Sequence, residues 1–181
     1  PVGAGAHAAH LAGDGGAGVF LPFPDFFQKL FATKVVARNA LGIQSALNDH
    51  IFQKQGINGS DGKTLTMASI RAQVEAGNLG PNGDANRWLS NYLTALDDES
   101  RELRAELLWK WWSKDALDIQ NIRIEIVDLL HFLVSLAQCA GLTADDIYKV
   151  YLKKNEINFR RQADGYSKDT KSESDNRSID A

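Results

Sequence analysis

Cysteine occurs once in this 181-residue chain, so no disulfide can form within it. Cys139, set among Leu136, Ala137 and Ala140, is expected as a small buried hydrophobe rather than a nucleophile or metal ligand. No uninterrupted apolar run approaches the roughly 18 residues that a membrane span requires, and no charged and apolar leader pattern of a secretory signal is visible. The expectation is an intracellular, soluble protein, cytoplasmic or nuclear, with no membrane partner. Basic blocks are missing too. Twenty Lys and Arg against 23 Asp and Glu give a net charge of −3, which offers no footprint for a polyanion, so no nucleic-acid partner is expected. Strand-like alternation is absent, which points to an all-α fold. Finally, neither Gly nor Pro interrupts the stretch from Asp84 to Ala140.

What is present suits one domain with a sizeable core, since 44% of the residues are hydrophobic. Residues 1–20 hold six glycines and six alanines and are expected to be a flexible segment, with one domain over 21–166 and a polar, disordered tail over 167–181, where Ile179 is the one large aliphatic residue. Asp25, after Pro24, reads as the N-cap of a first helix reaching Ile51 and Phe52, with Gly42 a candidate break. Turn residues from Gly56 to Asp61 and from Gly77 to Gly83 flank a short helix between Leu65 and Val74. Asp84 then reads as the cap of a long helix whose apolar stripe runs from Trp88 through Leu93 and Leu96 to Leu107 and Leu108. A break at Ser113 to Asp118 leads to another helix ending at Gly141, and residues 143–146 cap a last one running to about Arg161.

Two acidic pairs lie in the uninterrupted stretch: Glu99 with Glu102, and Glu125 with Asp128, each spaced i, i+3. That spacing puts both carboxylates of a pair on one helix face, so two packed helices can aim four carboxylates into one pocket. Like charges so gathered need relief from protonation, solvent or divalent metal, and hard oxygen ligands favour Mg²⁺, which recruits substrate phosphates. Solvated surface acids are the plainer reading, but Ile122, Ile124, Ile126, Val127, Leu129 and Leu130 surround the second pair, and charges in apolar surroundings are rarely left unpaired.

The motifs, in order, resemble those of the dimeric all-α dUTP diphosphatases, within the MazG-like nucleoside triphosphate pyrophosphohydrolases. Glu99 to Glu102 and Glu125 to Asp128 look like the superfamily's ExxE and ExxD metal motifs, with 22 residues between Glu102 and Glu125. Trp109, Lys110, Trp111 and Trp112 resemble a WKWWK segment of the dUTPase branch, with Ser113 in place of the final Lys, and the run from Asp118 to Phe132 is similar to that branch almost throughout. Gln44 to Asn48 looks like a QxxLN base-recognition motif, and Lys154, Asn155, Asn158, Arg161, Gln162, Gly165 and Tyr166 look like a C-terminal K-N-x-x-N-x-x-R-Q-x-x-G-Y motif. The likeness covers about residues 25–168; the 56–83 stretch and both termini depart from it.

The resemblance implies a homodimeric helical bundle that hydrolyses dUTP to dUMP and pyrophosphate, with dUDP a second candidate substrate, keeping uracil out of DNA and supplying dUMP. Glu99, Glu102, Glu125 and Asp128 are the implied Mg²⁺ ligands, two or three ions per site with Mn²⁺ a substitute, and Glu99 is the candidate catalytic base. Substrate contacts are assigned to Gln44, Asn48, Trp111, Lys154, Asn158, Arg161, Tyr166 and Lys168. Gln44 and Asn48, i and i+4 on one face, offer amide donors and acceptors suited to a uracil edge, against the plainer reading of an exposed polar face. Trp111 would wall or stack on the base, whereas tryptophans at helical or near-helical spacing more often serve cores or interfaces. The cations suit phosphate oxygens. His131, one turn beyond Asp128, is expected to be structural. Two alternatives stay open: a broader MazG-like enzyme acting on dCTP or modified nucleotides, and a non-catalytic helical interaction module.

Overall fold

A computed structural model describes residues 23–163 together with Gly165, Arg177 and Ile179, with side chains from Arg38 onward. The described residues form α1 (Phe23–Lys54), α2 (Met67–Glu75), α3 (Asp84–Ala105), α4 (Ile119–Cys139) and α5 (Ala144–Ala163). Strand pairing among them is limited to one isolated bridge, Asn58 with Thr64, so the expected all-α class holds. No single helix among the described residues is long and apolar enough to cross a membrane.

The helix α1 starts at Phe23, ahead of the expected cap at Asp25, and runs through Gly42 unbroken. Pro24 falls in the first turn, where its missing N–H has no intrahelical partner to lose. One interior Gly costs a helix only about 1 kcal/mol relative to Ala, less than the packing of the flanking turns returns. The helix ends where Gly56 takes a φ of 65° and the Ile57 N–H bonds back to Phe52 O at 2.9 Å. α4 closes the same way, with Gly141 at φ 80° and the Leu142 N–H on Ala137 O at 3.0 Å. A side chain at 141 would also meet Val74 Cγ1 at 3.1 Å, so this end is fixed by conformation and by space.

Caps set the other boundaries. Thr66 and Ser69 exchange side-chain and backbone hydrogen bonds at the start of α2, and Thr143 and Asp146 do so at the start of α5. Asp118 accepts from the Asn121 N–H at 3.0 Å at the start of α4. Asp84, expected as the cap of α3, is instead its first helical residue, with Gly83 at the cap. Its buried carboxylate turns away to accept from Ser60 N at 2.8 Å, Ser60 Oγ at 3.0 Å and Gln73 Nε2 at 2.7 Å, and it pairs with Arg87 at 3.0 Å. Burial alone would raise its pKa; the bonds from Gln73 and Ser60 and the Arg87 charge outweigh that and hold it below the ordinary value. One carboxylate thus ties the 57–65 loop, α2 and the head of α3 together.

The core gathers Phe52, Leu65, Met67, Ile70, Ala85, Tyr92 and Cys139. An aromatic ladder crosses it: Phe52 to Trp88 at 4.5 Å, Trp88 to Tyr92 at 5.4 Å, and Tyr92 to Phe132 at 6.3 Å. Cys139 is buried as expected, and burial pushes its thiol up to about 12, which makes it inert. α3 ends at Ala105, earlier than its stripe suggests, because the Leu107 N–H bonds Arg104 O three residues back and tightens the turn shut. Leu107 and Leu108 therefore lie in the connection, and Leu93 faces outward.

Candidate active site

α3 and α4 form the most extensive helix pair of the fold, and they run antiparallel, since Tyr92 meets Phe132 at one level and Glu102 meets Glu125 at another. This pairing brings the acids together. One ligand oxygen from each of Glu99, Glu102 and Glu125 lies within 4.8 Å of the others. Asp128 stands outside that trio but close enough to act electrostatically on Glu99 and Glu125. Desolvation and then the charges of Glu102, Asp128, Glu125 and Asp98 raise the Glu99 carboxyl above its ordinary value. Desolvation and then Glu102, Asp128 and Glu106 do the same to Glu125, partly opposed by a long contact of 3.4 Å from Asn121 Nδ2. Glu125 Oε2 is buried with no hydrogen-bond partner among the described residues. Buried polar oxygens are normally satisfied, and an all-carboxylate donor set with such an orphan fits a hard divalent cation.

Gln44 and Asn48 are buried, so the exposed-face reading is overturned. Gln44 Nε2 donates to Asn48 Oδ1 at 3.1 Å, and Asn48 Nδ2 donates to Ser135 Oγ at 3.0 Å, which links α1 to the helix that carries Glu125. Trp111 is 87% exposed in the α3–α4 connection, edge-on to Trp112 at 5.5 Å, with Trp109 and Trp112 at 6.0 Å. His131 is exposed, with Nδ1 4.0 Å from Asp128 Oδ1. Lys154, Asn158 and Arg161 lie on α5, which leaves α4 at 102° and packs chiefly on α1. The chain thus brings the acids together with each other, and the amides with α4; the α5 residues belong to a helix that packs chiefly on α1. Tyr166 and Lys168 lie outside the described residues, as do residues 1–20 and most of the tail.

Three neighbours of these side chains carry no assigned role in the motifs: Asn121, within the Asp118–Phe132 run, Glu106 and Ser135. The first two were findable, since Asn121 is four residues before Glu125 and Glu106 four after Glu102. Ser135 carried no signal beyond its place seven residues after Asp128.

The chain is an all-α bundle whose antiparallel α3–α4 pair gathers carboxylates from both helices at one place. The comparisons are specific: the dUTPase family profile matches residues 38–139 and 135–166, and the chain belongs to that family. It is also similar to a dCTP pyrophosphatase of Enterobacteria phage T4, 31% identical over 109 residues that cover 46% of this chain and 64% of that protein. The dCTP pyrophosphatase of Enterobacteria phage LZ5 is 30% identical over 109 residues, covering 46% and 63%, and a DNA replication protein of phage T4 is 28% identical over 99 residues, covering 41% and 25%. The chain spans less than two thirds of the length of these curated relatives. No solved structure matches.

Proposed function

We propose that this chain is a Mg²⁺-dependent dUTP diphosphatase, releasing dUMP and pyrophosphate, with the cation held by Glu99, Glu102, Glu125 and Asp128. The observation that carries the reading is the convergence of Glu99, Glu102 and Glu125 oxygens within 4.8 Å, in a member of the dUTPase family. The relatives' names support a nucleotide pyrophosphohydrolase. When bound, the divalent ion supplies positive charge to the triphosphate oxygens and the departing pyrophosphate. Glu99 is the residue assigned to take a proton from the attacking water. Gln44 and Asn48 read the base edge, Trp111 walls it, and Lys154, Asn158 and Arg161, with Tyr166 and Lys168, hold the phosphates.

Incubating the protein with Mg²⁺ and dUTP, dCTP or dTTP tests the reading directly. The expected product is dUMP with pyrophosphate, at the highest kcat/KM of the three. The dCTP names of the relatives favour a second reading, a dCTP-preferring enzyme, and a higher kcat/KM on dCTP would select it. No turnover on any substrate would leave a non-catalytic helical module.

Titration gives a second check. Raised carboxyl pKa values in the fold mean that the metal-free protein is stabilised by protonation below the ordinary value of 4.5, and loses that contribution as pH rises through the raised values. Mg²⁺ competes with those protons, so its stabilisation grows over the same window. At 100 times Kd a ligand adds about 2.7 kcal/mol, a rise in Tm of roughly 5–10 °C for a chain of this size. A Tm unmoved by Mg²⁺ at pH 8 would contradict the metal assignment.

The protein acts as a homodimer in this reading. Ile43, Leu47 and Ile51 on α1 and Ile126, Leu130 and Leu133 on α4 are each at least 41% exposed at helical spacing, an apolar surface that a second copy would cover. Light scattering should give twice the monomer mass; a monomer at micromolar concentration would refute it.

A further inference from the structure

We propose that Ser135 sets the base specificity of this site by fixing the order of donors and acceptors that Gln44 and Asn48 present, and that the fixed order selects uracil over cytosine. The inference rests on the proposed reading that these two amides face the base.

The order begins at the backbone. Ser135 is fully buried on α4, and its hydroxyl donates to His131 O at 3.0 Å, the carbonyl one turn earlier. A hydroxyl has one proton, and here it is directed at a backbone carbonyl of its own helix. With its proton on His131 O, Ser135 Oγ accepts from Asn48 Nδ2, 3.0 Å away. In that arrangement Asn48 turns its NH₂ to Ser135, its Oδ1 faces Gln44, and Gln44 offers NH₂ at 3.1 Å. One peptide carbonyl thus orients two side-chain amides in succession.

Each of those groups keeps unused capacity among the described residues. Gln44 Nε2 has a second hydrogen, Asn48 Oδ1 a second lone pair, and Asn48 Nδ2 a second hydrogen. Read along the chain, they form donor, acceptor, donor. Uracil's edge is acceptor, donor, acceptor at O4, N3–H and O2, the complement of that order. Cytosine's is donor, acceptor, acceptor, and it needs acceptor, donor, donor from the protein. An intact chain of hydrogen-bonded amides alternates and never places two donors side by side. Turning Asn48 over alone creates that pair: Gln44 Oε1, Gln44 Nε2 and Asn48 Nδ2 then read acceptor, donor, donor. Ser135 opposes this turn, because a reversed Asn48 would set Oδ1 against Ser135 Oγ and draw the hydroxyl proton off His131 O. Ser135 touches no substrate and is a positioning residue.

The test measures kcat and KM for dUTP and dCTP in wild type, Ser135→Ala, Ser135→Cys, Ser135→Thr and Asn48→Ala. Ser135→Ala should lower the dUTP:dCTP ratio of kcat/KM by roughly ten- to a hundredfold, the range expected when an oriented buried hydrogen bond is lost. The change should fall mainly on KM, raised for dUTP and lowered for dCTP, with kcat on dUTP within about threefold. Ser135→Thr keeps the hydroxyl and should keep the ratio; Ser135→Cys fills the site with a weak hydrogen-bonding group and should shift it, deciding the matter if the alanine variant does not fold. Equal losses on both substrates in the Ala and Cys variants would mark Ser135 as merely structural and overturn the proposal. If Asn48→Ala changes the ratio while the Ser135 variants do not, the positioning proposal alone fails. An unchanged ratio in Asn48→Ala as well would remove the underlying reading of the base site.

Discussion

Glu125→Gln should lower kcat on dUTP by a factor on the order of 10³ or more at saturating Mg²⁺, while the folded protein keeps or slightly raises its metal-free Tm. The opposite signs follow from one side chain. As a carboxylate, Glu125 carries the burial penalty of an ion and the repulsion of Glu102, Asp128 and Glu106, and its Oε2 has no partner among the described residues. A neutral amide of the same shape ends the penalty and the repulsion, and it can keep a contact with Asn121. It also removes an anionic ligand from the trio with Glu99 and Glu102, and with it the charge that would hold a cation. Steady-state turnover and a thermal melt with and without Mg²⁺ read both effects. Near-normal turnover in a folded variant would remove the metal assignment; a large loss of Tm would mean that the carboxylate is structural.

Phe52→Ala should have the largest effect on stability, roughly 3–5 kcal/mol, because Phe52 is 1% exposed and opens the aromatic ladder at 4.5 Å from Trp88. A protein of this length loses about 2–4 °C of Tm per kcal/mol, so a fall of roughly 6–20 °C is expected. The cavity would lie in the core among Leu65, Met67, Ile70 and Trp88 rather than among the acids. Activity per folded molecule at low temperature should therefore change far less than Tm. A Tm shift below about 3 °C would mean that the ladder does not carry the core, given the usual cost of emptying such a site.

The two variants differ in how plainly the sequence announces them. Glu125 stands out through its i, i+3 partner Asp128 and the second pair upstream, because helical periodicity alone places such carboxylates on one face. Phe52 sits near the end of α1 among Ile51, Gln53 and Lys54, and nothing local distinguishes the buried Phe52 from the exposed Ile51. Likewise Gln44 and Asn48 share a face by spacing, but whether that face meets water or α4 depends on where α4 lies. Gly42 and Asp84 show the same limit for helix boundaries. A glycine can be carried through a long helix, and an aspartate with good capping chemistry is drawn away once Ser60, Gln73 and Arg87 compete for it.

Residue type and spacing within a few turns suffice for the all-α class, the two acidic helices, the inert cysteine and the family resemblance that the profile match bears out. Which groups touch emerges only from packing: Glu99, Glu102 and Glu125 form the tight trio with Asp128 beside it, Asp84 is a tie rather than a cap, and Ser135 reaches Asn48 across 87 residues of chain. Such contacts follow from how the helices pack, which is fixed by the whole apolar core at once and is not written at any one position.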